Sequence, residues 1–167
     1  RRPAALSWSG TGRAARRRRR GPRTAGTCGQ TRLIGGRIKG LRTADVITFP
    51  RYGSPVRRET QGVFLIVDAT LFGTTESTML RATWIGASGR RYDTTDRISG
   101  AFRQVQDMWL QPGLESTALA IFELPADEIP QGALLLAQRI DLPLDGVLRL
   151  EAPVTAPIHL PMLELDG

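Results

Sequence analysis

Apolar and polar residues alternate along this chain in short runs separated by turn residues, the pattern of β-strands with a buried and a less buried face. From Gly62, Val63, Leu65, Val67, Ala69 and Leu71 fall on one face, and Phe64, Ile66, Asp68, Thr70 and Phe72 fall on the other. One face is wholly apolar and the other partly so, which predicts a central strand packed against an opposing sheet. Leu80, Ala82 and Trp84 then alternate with Arg81 and Thr83, and Ala118, Ala120, Phe122 and Leu124 alternate with Thr117, Leu119, Ile121 and Glu123. Shorter runs predict strands at Ala133–Ala137, at Val147–Glu151 with Leu148 and Leu150 inward, and finally at Val154–Leu160.

The punctuation fits the same reading. Pro112–Gly113 suits the two central positions of a type II turn, because proline presets φ and glycine accepts a positive one. Gly86–Gly89 predicts another turn, and the segment Pro125–Pro130 has room for a single helical turn only. Residues 93–107 carry no regular period, although Ile98, Ala101, Phe102 and Val105 would pack as a short strand or one helical turn. Upstream, TRLIGGRI and LRTADVITF are strand-like, and Gly35, Gly36 and Gly40 predict that they form a bent or bulged edge strand rather than one long one. Pro50, Gly53, Ser54 and Pro55 predict a loop after it. Strands joined by loops instead of crossover helices predict an all-β fold, an immunoglobulin-like antiparallel β-sandwich of seven to nine strands.

Charge changes the picture at one end only. The chain has 167 residues and a formal net charge of +7, yet residues 1–27 hold nine arginines and no acid, so the rest carries about −2. Residues 1–30 are expected to be a disordered arginine-rich arm, with one sandwich domain over 31–163. The pentarginine run Arg16, Arg17, Arg18, Arg19 and Arg20 could touch an anionic surface or nucleic acid through charge alone, but composition does not build a specific site. Nucleic acid is therefore the alternative and not the leading partner.

Candidate chemistry is sparse. The chain has one histidine, His159, and one cysteine, Cys28, so neither an intrachain disulfide nor a His/Cys zinc site is expected. His159 has the parity of the solvent face of its strand. No phosphate-binding glycine loop occurs, and no cofactor is expected. Asp93 and Asp96 lie three apart, but beside Arg90, Arg91 and Arg97 they suit local pairing better than calcium. Asp68 should pair across strands with an arginine. Trp84 has core parity; Trp109 shares its face with the polar Asp107 and Gln111, and with Arg90 and Arg91 it is the candidate contact residue.

In their order, GVFLIVDATL, WIGASGRRYDTTDR, LQPG, AIFELP and ALLL resemble the extracellular immunoglobulin-like domains of actinobacteria and related bacteria. That family is also labelled telomeric-repeat-binding-factor-like and includes a mycobacterial immunoprotective antigen. Arginine as 22 of the 23 basic residues fits a GC-rich coding source. The resemblance implies a secreted or envelope-anchored sandwich without catalytic residues, and hence an unknown protein partner at the cell envelope. Membrane attachment is expected only through an N-terminal anchor outside this chain, since no apolar segment precedes the lipidation-like AGTC at Cys28. The expected function is a non-enzymatic protein-binding or accessory module, with contacts at 50–60, 86–98 and 107–114.

Overall fold

A computed structural model of the chain describes residues 27–101, 103–139 and 146–166. Among these residues the chain forms nine strands: β1 (Cys28–Gln30), β2 (Ile34–Arg51), β3 (Ser54–Gly73), β4 (Leu80–Ile85), β5 (Arg91–Asp93), β6 (Ser116–Leu124), β7 (Ala133–Gln138), β8 (Leu148–Glu151) and β9 (Ile158–Glu164). Two sheets result. One runs β1–β2–β3–β6, with β9 also on β2, and the other runs β5–β4–β7–β8. Every pairing is antiparallel except β2 with β9. The order is that of an immunoglobulin-like sandwich, in which β2, β3 and β6 take the A, B and E places, and β5, β4, β7 and β8 take C′, C, F and G.

The core between the sheets follows from the alternation. Leu65, Val67, Ala69 and Leu71 of β3 and Ala118, Ala120, Phe122 and Leu124 of β6 meet Leu80, Ala82 and Trp84 of β4, Leu134 and Leu136 of β7, and Leu148 and Leu150 of β8. Trp84 occupies the C-strand place where immunoglobulin folds carry their buried tryptophan, and its ring lies 6.2 Å from that of Phe122. The indole N–H would be costly to bury unpaired, and it donates to the Glu128 carbonyl at 3.1 Å.

The opposite face of the first sheet is also covered. Phe64, Ile66, Ile121 and Ala44 pack with Ile98, Ala101, Leu163 and Leu165, and with Ile47 and Phe49 from the far part of β2. The expected irregular segment supplies part of this cover through the 3-10 turn at Asp96–Ile98, while a second 3-10 turn, Val105–Asp107, puts Val105 into the core between the sheets. Phe102 lies outside the described residues, as do Arg16–Arg20 and the greater part of the arm.

Four expectations are corrected. The glycines do not divide β2, which is one strand of 18 residues, and β2 is not an edge: β3 pairs with one side, while β1 and β9 share the other. The expected irregularity survives as register shifts at Ile38/Gly40 and Ala44/Val46. A Cβ at position 35 would run into the Phe72 ring, which would have to turn aside. Order also begins earlier than Thr31, since Cys28–Gln30 pairs with Gly35–Arg37. The segment 50–60 is mostly strand, closed by the two-residue turn Tyr52–Gly53 between paired Arg51 and Ser54.

The last correction concerns the C-terminal strand, which is displaced from Val154–Leu160 to Ile158–Glu164. Pro153 and Pro157 bracket the first half of the expected run and remove ladder donors from it. Val154, Ala156 and Ile158, the apolar residues on the face opposite His159 in that run, are consequently exposed. Burial falls instead to Leu163 and Leu165, and Leu165 N donates to Thr48 O at 2.8 Å.

Candidate functional site

The candidate surface grows out of a break in the β2–β3 ladder. Between Ala44↔Phe64 and Val46↔Glu59 the chain advances two residues on β2 but five on β3, so Thr60–Val63 bulge opposite the single unpaired Asp45. A bulge of this size bends the strand pair. Beyond it the hairpin continues as an arm of its own, from Val46–Glu59 to Arg51–Ser54. Gly62 lets the bulge form against β6, because a Cβ there would stand 2.5 Å from the Leu124 carbonyl oxygen.

The bend leaves a groove of about 960 Å³ lined by Glu59–Val63, Arg97 and Glu123–Ala126. Its polar groups are paired with each other. Arg97 donates to both Glu123 carboxylate oxygens at 2.7 and 2.9 Å and to the Glu59 carbonyl at 2.9 Å, and Thr60 Oγ1 donates to Glu123 at 2.7 Å. The network ties the base of the arm to β6 and to the loop after β5. Its chemistry is bracing; the cation at its centre is already committed.

At the tip, Tyr52 has φ 51° and Gly53 φ 79°, the two positive values of a type I′ hairpin turn. Glycine suits this conformation and tyrosine does not, since a β-carbon in the left-handed region costs about 1–2 kcal/mol. Tyr52 is nevertheless 96% exposed and recovers nothing by burial. Its one ring contact is the Arg51 guanidinium, 5.6 Å from the ring centre. An aromatic and an arginine thus stand together at the exposed turn of a braced arm.

The residues expected to make contacts are not brought together. Trp109 is 56% exposed, beside the bridge between Thr78 and Leu110 at the start of β4. Arg90 and Arg91 are also exposed, but at the other end of β4, where Arg91 pairs with Ile85. They share that end with the hairpin base, because Glu128, just beyond β6, binds the neighbouring Ser88 through its backbone N–H at 3.0 Å and its hydroxyl at 2.6 Å. These bonds hold the buried Glu128 carboxyl below its ordinary range, the Ser88 hydroxyl first and its amide next, while burial opposes them. The Tyr92 hydroxyl, buried and without a well-formed hydrogen bond, adds less, as does the Arg90 charge.

The remaining candidates have structural partners. Asp68 pairs with Arg42 through two bonds of 2.8 Å, the expected cross-strand pair. Asp93 accepts from Thr83 Oγ1 at 2.9 Å. Among the described residues no group of three or more His, Cys, Asp and Glu side chains gathers as metal ligands would. His159 is exposed, as its parity suggested, with Nδ1 3.2 Å from Thr43 Oγ1 and Nε2 3.5 Å from Asp45, so it links β9 to β2. Cys28 is exposed on β1.

Sequence reasoning missed the bulge and the arm. Gly62 was their one visible signal, and it reads equally well as the start of a strand. Tyr52 carried none, since only the backbone shows that it occupies a glycine-type conformation.

No protein-family model matches the chain, and no curated protein matches it. Among solved structures it is similar to the YjhA protein of Bacillus subtilis, with a TM-score of 0.51 and 11% identity, over 78% of this chain and 99% of that one. It also aligns with an uncharacterized β-sandwich protein of Clostridium difficile, with a TM-score of 0.43 and 11% identity, over 78% and 92% of the two chains. At this identity the likeness to YjhA is one of fold: the chain is an antiparallel β-sandwich of that general shape.

Proposed function

We propose that this chain is a non-enzymatic module of the cell envelope or the extracellular space that binds another protein through the tip of its β2–β3 hairpin. The observation that carries the reading is Tyr52, exposed to 96% in a backbone conformation that tyrosine pays to adopt. Strain retained at a solvent-facing position points to a contact made outside the chain. Tyrosine and arginine are the residue types that dominate protein interfaces, and Arg51 stacks on the ring. The Arg97–Glu123 bracing fixes the base of the hairpin that carries the pair. The compartment is taken from the resemblance to extracellular actinobacterial domains.

The test sets stability against binding. Tyr52→Asn places an asparagine–glycine pair in the type I′ turn and should stabilise the domain by about 0.5–1 kcal/mol in denaturant unfolding. The same substitution should abolish capture of a discrete envelope protein by a photo-crosslinker placed at Arg51. Capture that survives Tyr52→Asn, or fractionation of the native protein to the cytosol alone, would overturn the reading.

A further inference from the structure

We propose that β9 is a self-association edge, through which two copies of this chain pair antiparallel about a two-fold axis at Leu160 and join their first sheets into one.

The sheet edges of the molecule are treated unequally. The outer side of β6 is covered, because Thr95 N donates to Ile121 O and Leu119 N donates to Arg103 O, each at 2.9 Å. β5 has three residues and β8 four, too short to offer much of a template. β9 has seven, pairs with β2 on one side, and among the described residues has no backbone partner on the other. Its one protective device is Pro161. It lacks the lysines, the covering loop or the brevity that keep edges from pairing.

Side chains on this edge leave apolar area in water. Ile158 is 65% exposed and Met162 58%. They stand two residues on either side of Leu160, so a two-fold axis through Leu160 sets Ile158 of each copy opposite Met162 of the other, burying both pairs in equivalent contacts. The same register places His159 against Pro161 and Glu164 against Ala156, with no like charges facing one another. Neighbouring axes do worse. An axis at His159 sets two imidazoles together, and one at Pro161 opposes two prolines while facing Ile158 with Glu164. Self-complementarity at one register is the argument for a second copy over an unrelated strand, which would have no reason to match Ile158 and Met162 as a symmetric set. The surface is separate from the hairpin tip, so either can fail alone.

Sedimentation velocity of the full chain should show a concentration-dependent dimer. The double variant Ile158→Lys/Met162→Lys puts lysine opposite lysine twice and should raise the dimer dissociation constant at least about tenfold. Both positions are exposed, so its thermal melt, followed in dilute solution, should match that of the wild-type monomer. In a Cys28→Ser background, Leu160→Cys should form a reducible covalent dimer on mild oxidation, since residues at the axis of an antiparallel pair stand about 4.5–5.5 Å apart at Cα. If partly buried Leu160 does not tolerate the change, Ile158→Cys/Met162→Cys tests the same register at exposed sites. A chain that stays monomeric, a dimer indifferent to the two lysines, or a dimer in which neither cysteine design cross-links would overturn the proposal.

Discussion

The two faces of β3 bury similar residues by different means. Toward β4 and β7, Leu65, Val67, Ala69 and Leu71 meet a second sheet whose own strands also alternate buried and less buried residues. On the other face, Phe64 and Ile66 are covered by assembled pieces: a 3-10 turn carrying Ile98, the tail residues Leu163 and Leu165, and the bent arm with Ile47 and Phe49. The first core rests on periodicity and the second on where the chain happens to return. The sandwich should therefore unfold as a unit, whereas the outer cluster should open by parts and carry the arm with it.

Truncating the centre of the inner core gives the largest expected effect. Trp84 is fully buried and its indole N–H is paired, so Trp84→Ala removes packing and leaves the Glu128 carbonyl without that donor. A loss of about 3–5 kcal/mol is expected, enough to unfold much of the population at 37 °C, as measured by denaturant unfolding. A loss below 1 kcal/mol would mean that the inter-sheet core does not dominate the fold.

The equivalent change outside is Leu163→Ala, with an expected cost of about 2–4 kcal/mol. What separates the two cores is where this cost appears. Hydrogen exchange should accelerate in β9 and in the arm from Val46 to Glu59, with β4 and β7 remaining protected. Uniform loss of protection would erase the distinction between the cores.

Gly62→Ala acts at the hinge between them. The added Cβ meets the Leu124 carbonyl, which is backbone and cannot swing away, so the bulge or β6 must shift at a cost of about 1–3 kcal/mol. The change should also loosen the Arg97–Glu123 brace, visible as faster exchange at Thr60–Val63, and leave the β4–β7 pairing untouched.

This contrast also accounts for what was legible. Alternation located β3, β4, β6, β7 and β8 and their inward residues, because a sandwich strand reports its burial through a period of two. Pro112–Gly113 was legible for the same local reason: Gly113 has φ 70° and Leu114 N donates to Gln111 O at 3.3 Å. The C-terminal strand was misplaced because Val154–Leu160 alternates well but its prolines prevent pairing, and the parallel partner on β2 lies more than 100 residues away. Tyr52 was invisible as a strained residue, since a left-handed φ belongs to the backbone and not to the letter. Trp109, Arg90 and Arg91, the candidate contacts, are exposed, but their placement at opposite ends of β4 depends on topology that no local pattern contains.

The smallest expected effect probes the rim of the inner core by pH. Glu128 is held below its ordinary pKa by Ser88, so the native state binds this proton less readily than the unfolded chain does. Its contribution is complete above the unfolded value near 4.5 and is lost as pH falls through the lower folded value, so stability should decline with acidification in that window. Ser88→Ala removes the main cause, and the carboxyl should move back toward its ordinary range with a shallower acid dependence. Thermal melts between about pH 3 and pH 6 measure the slope, and the Trp84 indole N–H resonance, whose acceptor is the carbonyl of Glu128, marks the location. If acid moved that resonance equally in the wild type and in Ser88→Ala, the rim would not be governed by this carboxylate. The acid sensitivity would then belong to ion pairs elsewhere, such as exposed Glu115, whose carboxyl is also lowered, chiefly by its hydrogen bond from Arg37.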